Sequence, residues 1–135
     1  MDWSLSLFNP NPYIEYNIDD FVIDNKNNLE SLPPEPQLGN IEYKLKIVNP
    51  TKQRFEHLVT QLKWRLHEGN GVAIYQIGVE DCGILAGLSH WDMTASLQTL
   101  QLMALRLGAN TAILHERVLE NGRRIVQVRV EKAPV

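Results

Sequence analysis

Two stretches of this chain, "TKQRFEHLVTQLKWRLHEGNG" (51–71) and "SHWDMTASLQTLQLMALRLG" (89–108), repeat their apolar residues every three or four positions and stop at glycine. That period marks an amphipathic helix with one face turned to a core. Phe55, Leu58, Val59, Leu62 and Leu66 make the first stripe; Met93, Leu97, Leu100, Ala104 and Leu107 make the second. Helices with one stripe each need another layer to cover them, and the segments between supply it.

Those segments carry β-type signals. "IEYKLKIV" (41–48) alternates apolar and charged residues; "VAIYQIGVE" (72–80) and "ILAGLS" (84–89) are short apolar runs around the turn "EDCG", read as a hairpin. "TAILHERVL" and "RIVQVRVEK" flank Asn121-Gly122, a pair suited to a type I′ turn. Asn49 before Pro50 is the expected N-cap of the first helix, and Ser89, with Asp92 three residues on, that of the second. The predicted order is β-α-β-β-α-β-β. This is an α+β fold with two helices on one face of a mostly antiparallel sheet, a ferredoxin-like layout with an extra edge strand.

The 135 residues, 44% hydrophobic and 21% charged, suit one soluble domain. A single cysteine, Cys82, excludes an internal disulfide framework and fits a reducing compartment. "MDWSLSLF" lacks the basic start of a secretory leader, and no run approaches the ~20 apolar residues needed to span a bilayer. The expected location is cytoplasmic, with no membrane partner. Charge is uneven: residues 1–40 carry seven carboxylates against Lys26, a balance of −6, while 41–135 carry twelve lysines and arginines against nine carboxylates. Residues 1–40 are therefore read as an acidic, largely disordered arm ending in the Pro-rich linker "LPPEPQLGN", and 41–133 as an α+β domain. Removal of 1–37 is expected to leave the fold of 41–132 intact.

Chemistry is sparse. Neither a G-x-x-x-x-G-K-S/T loop nor a G-x-G-x-x-G turn is present, so no phosphate-cradling device is expected. His57, His67, His90 and His115 lack metal-ligand spacing, and Cys82 has no base placed beside it. No catalytic residue, metal ligand or cofactor is assigned. Two surfaces stand out instead. Trp64 lies opposite the first stripe, among His57 and Gln61, and Leu102 and Leu105 lie off the second; these five residues are the candidate docking surface for a partner. If Ala112, Leu114 and Val118 face the helices, the other sheet face carries Lys44, Lys46, Arg117 and Arg129, a candidate RNA-contacting surface without the stacking aromatics that strengthen such platforms.

The strings "EYKLKIVNP", "RFEHLVTQLKWRLHEGNG", "YQIGVEDCGILAGL" and "MTASLQTLQLMALRLGA", within roughly residues 38 to 132, resemble the N-terminal region of the GTP-binding protein 1 and 2 family, translational GTPases related to elongation factor 1-alpha, and resemble the second member more than the first. The resemblance implies that such a region precedes a GTPase domain and two β-barrels, with GTP and Mg bound in the full-length protein. It implies as partners the protein's own GTPase domain, the ribosome, and tRNA or other RNA. The phosphate-binding loop would begin after "VRVEKAPV", so none of the family's catalytic residues falls on this chain and it reads as a fragment or a truncated product. No resemblance is claimed for the acidic arm.

Overall fold

The computed structural model describes residues 31–134. The two glycine-stopped stretches form α1 (Lys52–Glu68) and α2 (His90–Arg106), joined by strands β1 (Ile41–Lys44), β2 (Val72–Ile77), β3 (Ala109–Val118) and β4 (Arg124–Lys132). The sheet runs β1-β2-β4-β3, with β1 parallel to β2 and the other two pairs antiparallel. Both helices pack on one face. The α+β class with two helices over a mostly antiparallel sheet is what the residues specify.

The finer layout differs from the expected one. "ILAGLS" forms no ladder strand: 84–89 makes only the isolated bridges Val79 to Leu85 and Leu88 to Arg124. Gly78, Gly83 and Gly87 all take positive φ there and bend the backbone out of any regular ladder. Four strands remain rather than five. The parallel strands β1 and β2 are direct neighbours across the α1 crossover, whereas a ferredoxin-like sheet would place another strand between them.

Local signals were mostly read correctly. Ser89 caps α2, its hydroxyl accepting from the Asp92 N–H at 3.2 Å. The cap of α1 is Thr51, not Asn49; its hydroxyl accepts from the Arg54 N–H at 3.1 Å, while Asn49 sits at a φ of 43° in the bend after β1. The hairpin at Asn121-Gly122 forms, yet not as type I′. Gly122 alone is left-handed, its N–H donating to the Leu119 carbonyl, which is the three-residue loop with one αL glycine.

The main core lies between sheet and helices. Leu58, Val59, Leu62 and Leu66 meet Met93, Leu100, Met103 and Ala104 over Ala73, Tyr75, Ile77, Val126, Val128 and Val130, with Phe55, Leu97 and Leu107 at its margin. A second cluster lies on the opposite face: Ile41, Tyr43, Ile74 and Ile125 under Leu32, Val79 and Leu85. The linker "LPPEPQLGN" is thus part of the body. Leu32 is buried, its N–H donates to the Gly83 carbonyl at 2.7 Å, and the Glu35 N–H donates to the Asp81 carbonyl at 2.8 Å. A cut at residue 37 would strip the second cluster of Leu32, so removal of 1–37 is expected to cost the body stability, against the sequence expectation. Residues 1–30, the remainder of the acidic arm, lie outside the described residues.

Candidate functional site

The densest polar arrangement is one the sequence reading missed. Glu42 on β1 points toward α1 and is buried beside Arg65, whose Nε donates to Glu42 Oε1 at 2.9 Å. The rest of the guanidinium reaches the linker, Nη1 donating to the Gly39 carbonyl and Nη2 to the Pro36 carbonyl, each at 2.8 Å. Glu35 completes the group, its carboxylate accepting from the Tyr43 N–H at 2.6 Å, while the Tyr43 hydroxyl donates to the Pro33 carbonyl. Arg65 thus clamps the strap 33–39 to the body. A charged residue inside a helical stripe was the one available signal for it.

Two carboxyls at close quarters share one proton. Burial, followed by the hydrogen bond with Glu42, pushes the Glu35 carboxyl up to about 7. Burial also works to raise Glu42, but hydrogen bonds from Glu35 and Arg65 and the Lys44 charge outweigh it and hold Glu42 below its ordinary value. Unfolding releases the Glu35 proton near 4.5, whereas the folded state keeps it to about 7. Between those values the folded state binds more protons, so stability falls as pH rises through that window. The Glu42 contribution is lost on the other side, as pH falls below the ordinary carboxylate range. We therefore expect a lower melting temperature at pH 8 than at pH 5.5, a difference of about 1–2 kcal/mol because the Glu35 carboxyl reaches solvent. Glu35→Gln should flatten this limb; melts of the variant that keep the full slope between these two pH values would refute the assignment.

Trp64 stands as its helical phase requires, 64% exposed, its ring edge-on to the His67 ring at 6.1 Å. His57 and Gln61 share its exposed face, although Gln61 Oε1 accepts from Lys44 Nζ at 2.8 Å. Beyond His67, a surface cleft of about 480 Å³ opens between Lys63, Leu66, Leu107 and Lys132. Leu102 and Leu105 are 55% and 72% exposed on α2. The two patches belong to different helices, which are tied through Arg106 instead: it pairs with Glu56 at 2.8 Å and lies over the Phe55 ring. Trp91, also exposed, stacks edge-on against His90 at the start of α2 and was not singled out from the sequence.

The basic residues do not share one face as expected. Lys44 turns to the helix side, between Glu42 and Gln61, because Ile41 and Tyr43 occupy the opposite face of β1. Lys46 lies beyond β1, 3.7 Å from Asp92 at the start of α2. Arg117 and Arg129 do share the face away from the helices, paired across the ladder with Ile125 and Ala112. Ala112 therefore does not face the helices, and Leu114 packs with the second cluster, since a bulge between Ile113 and His115 shifts the register. Across this face a row runs from Tyr43 through Gln76 and Gln127 to His115.

Among the described residues no group of three or more His, Cys, Asp or Glu side chains could hold a metal, and no helix is long and apolar enough to cross a membrane. Cys82 is free and exposed in its turn.

Comparison with known proteins adds the lineage. GTP-binding protein 2 of Mus musculus and of Homo sapiens are each 56% identical to this chain over 112 residues, 80% of this chain and 19% of the relative. GTP-binding protein 1 of Xenopus laevis is 33% identical over 84 residues, 62% of this chain and 13% of the relative. No family profile and no solved structure matches. A match over 80% of the chain is longer than residues 38–135, so it runs into the arm, where none was expected. The chain spans about a fifth of the length of these GTP-binding protein 2 relatives, and over that segment it is homologous to the GTP-binding protein 1 and 2 family.

Proposed function

We propose that this chain is a non-catalytic, N-terminal accessory domain of a GTP-binding protein 2-like protein. It docks on the GTPase body, or on a ribosome-linked partner, in the cytoplasm. The carrying observation is the exposed indole of Trp64 on an otherwise polar helix face beside a cleft lined by Leu66 and Leu107. The rest of the cleft is polar and basic, with Lys63, His67, Asn70 and Lys132, and an aromatic left in water beside such a hollow is how interface anchors present themselves before a partner arrives. Leu102 and Leu105 would extend the contact along α2. GTP, which the relatives' name gives as bound, and the Mg that the family resemblance implies would be held outside this segment, for its own sequence has no loop to cradle phosphates.

Two outcomes are expected. Labelled GTP should show no saturable binding to the purified chain up to millimolar concentration; a micromolar isotherm would contradict the non-catalytic reading. Trp64→Ala should change the stability of the chain by less than about 1 kcal/mol, yet weaken its association with a GTPase body supplied in trans by about 2 kcal/mol or more, read by calorimetry. A large stability loss with unchanged association would place the indole in the fold rather than at an interface.

RNA contact is the second reading, favoured by Arg117 and Arg129 on one face. The positions of Lys44 and Lys46 weaken it. Affinity falling steeply with added salt would mark phosphate contact; apolar docking through Trp64 would change little.

A further inference from the structure

The hollow beside Trp64 lies where both helices end. α1 stops at Gly69, and Asn70 and Gly71, at φ of 53° and 97°, turn the chain into β2; α2 stops at Leu107. Buried Leu66 and half-buried Leu107 make an apolar floor, and the walls are basic. Lys63 and His67 stand one helical turn apart on α1, and Lys132 arrives from the end of β4. Strand alternation explains the last. Val130 packs under the helices, so Lys132 turns to their side, whereas Glu131 turns to the other face, where it pairs with Arg129 at 3.2 Å. Among the described residues no carboxylate lines the hollow, and neither Lys63 nor Lys132 is in an ion pair. Cations brought by two separate elements to one uncompensated hollow make a local field that favours an anion.

We propose that this hollow receives an acidic peptide segment of the partner that docks at Trp64, a role that rests on the docking reading itself. A carboxylate of the segment sits between Lys63 and Lys132, an apolar side chain beside it fills the Leu66–Leu107 floor, and the Trp64 indole covers that side chain from the rim. The volume of about 480 Å³ suits this division, since pockets that seat a few side chains or a small ligand span roughly 300–1,000 Å³. The floor and the indole supply most of the affinity; the lysines select the sign of the partner and speed its approach. Two such contacts leave the salt dependence shallow, unlike that of a phosphate chain.

A nucleic-acid strand fits less well, although an exposed indole beside lysines could stack a base. The C-terminal turns of both helices border the hollow, and helix C-termini carry partial negative charge. That field opposes a strand with a phosphate at every nucleotide. A peptide places single carboxylates beside the lysines and offers N–H groups to the helix ends.

The test has two arms. In the first, the full chain is titrated with two synthetic decapeptides, one of glutamate and alanine around a central leucine, the other with lysine in place of each glutamate. The glutamate peptide should bind saturably and shift the amide signals of Lys63, His67, Asn70 and Lys132 together with the Trp64 indole N–H, and the lysine peptide should not bind. Lys63→Glu with Lys132→Glu, both at exposed positions, should exchange that preference. In the second arm the same double reversal should weaken association with a GTPase body supplied in trans by about tenfold or more. A body that binds, is released by Trp64→Ala and ignores the double reversal would overturn the acidic partner while leaving docking at Trp64 standing. A body that does not bind a chain that takes up the glutamate peptide would remove the docking reading and leave the hollow as a site for acidic peptide. Binding of neither peptide, or of both alike, would overturn the proposal. So would shifts of the same signals by a uridine decamer and not by the glutamate peptide, in which case the hollow belongs to RNA.

Discussion

Arg65→Ala is expected to destabilise the chain by about 3–5 kcal/mol, as much as truncating a large core residue although the side chain removed is charged. The reason lies in what remains. Glu42 stays buried between β1 and α1, and the Gly39 and Pro36 carbonyls lose the donors that satisfied them. Lys44, at 3.5 Å from the other Glu42 oxygen, compensates only in part. Arg65→Lys should recover less than half of the loss, because an ammonium cannot reach Glu42 and two carbonyls on different segments as a planar fork does. Removing both charges, as in Arg65→Met with Glu42→Gln, should cost less than Arg65→Ala alone, since no buried charge is then left without its partner. Urea unfolding measures all three. A loss below 1 kcal/mol for Arg65→Ala would mean that water reaches Glu42 and that the strap is not clamped.

How far the sequence reveals this fold follows from which forces are local. The two helical stripes, the Ser89 cap and the exposure of Trp64 were all legible, because each depends on a period or a motif within a few residues. The strap was not. "LPPEPQLGN" has the composition of a linker, and its retention rests on contacts across the chain, such as Leu32 to Gly83 and Arg65 to Pro36. The same blindness misplaced Lys44. The alternation in "IEYK" was read as one buried and one wet face, whereas both faces of β1 are covered, one by α1 and the other by residues 31–36 and 79–88. Glu42 then survives burial through Arg65, a partner 23 residues away. Ala112 and Leu114 went to the wrong side for another reason: a single bulge reverses the alternation of the rest of a strand, and "TAILHERVL" contains no glycine to announce it. Of the candidate site residues, the ones picked for breaking a helical stripe stood where expected, as did Arg117 and Arg129 on the face away from the helices, whereas Lys44 and Lys46 did not.

Gly83→Ala carries the other large expected effect, and it examines the strap from the opposite side. Gly83 holds a φ of +99°, a conformation that costs an L-residue about 1–2 kcal/mol. Its missing side chain also leaves room for a neighbouring backbone: a Cβ there would lie inside contact with the Leu32 carbonyl and 2.9 Å from the Pro33 oxygen. Neither neighbour can swing aside, since the Leu32 N–H is bonded to the Gly83 carbonyl itself and Pro33 accepts from Tyr43. The strap must lift, which releases Leu32 from the second cluster and weakens the Glu35 N–H bond to Asp81. Strain and overpacking together give about 2–4 kcal/mol. Gly108→Ala separates the two contributions. Gly108 is also left-handed, at a φ of +67°, but a Cβ there meets nothing, so its variant should show the conformational strain alone. The excess of Gly83→Ala over Gly108→Ala measures how firmly residues 31–36 are held, and amide exchange at Leu32 and Glu35 should accelerate in the first variant but not in the second. Equal losses in both, with unchanged exchange at Leu32, would show that the strap yields at no cost.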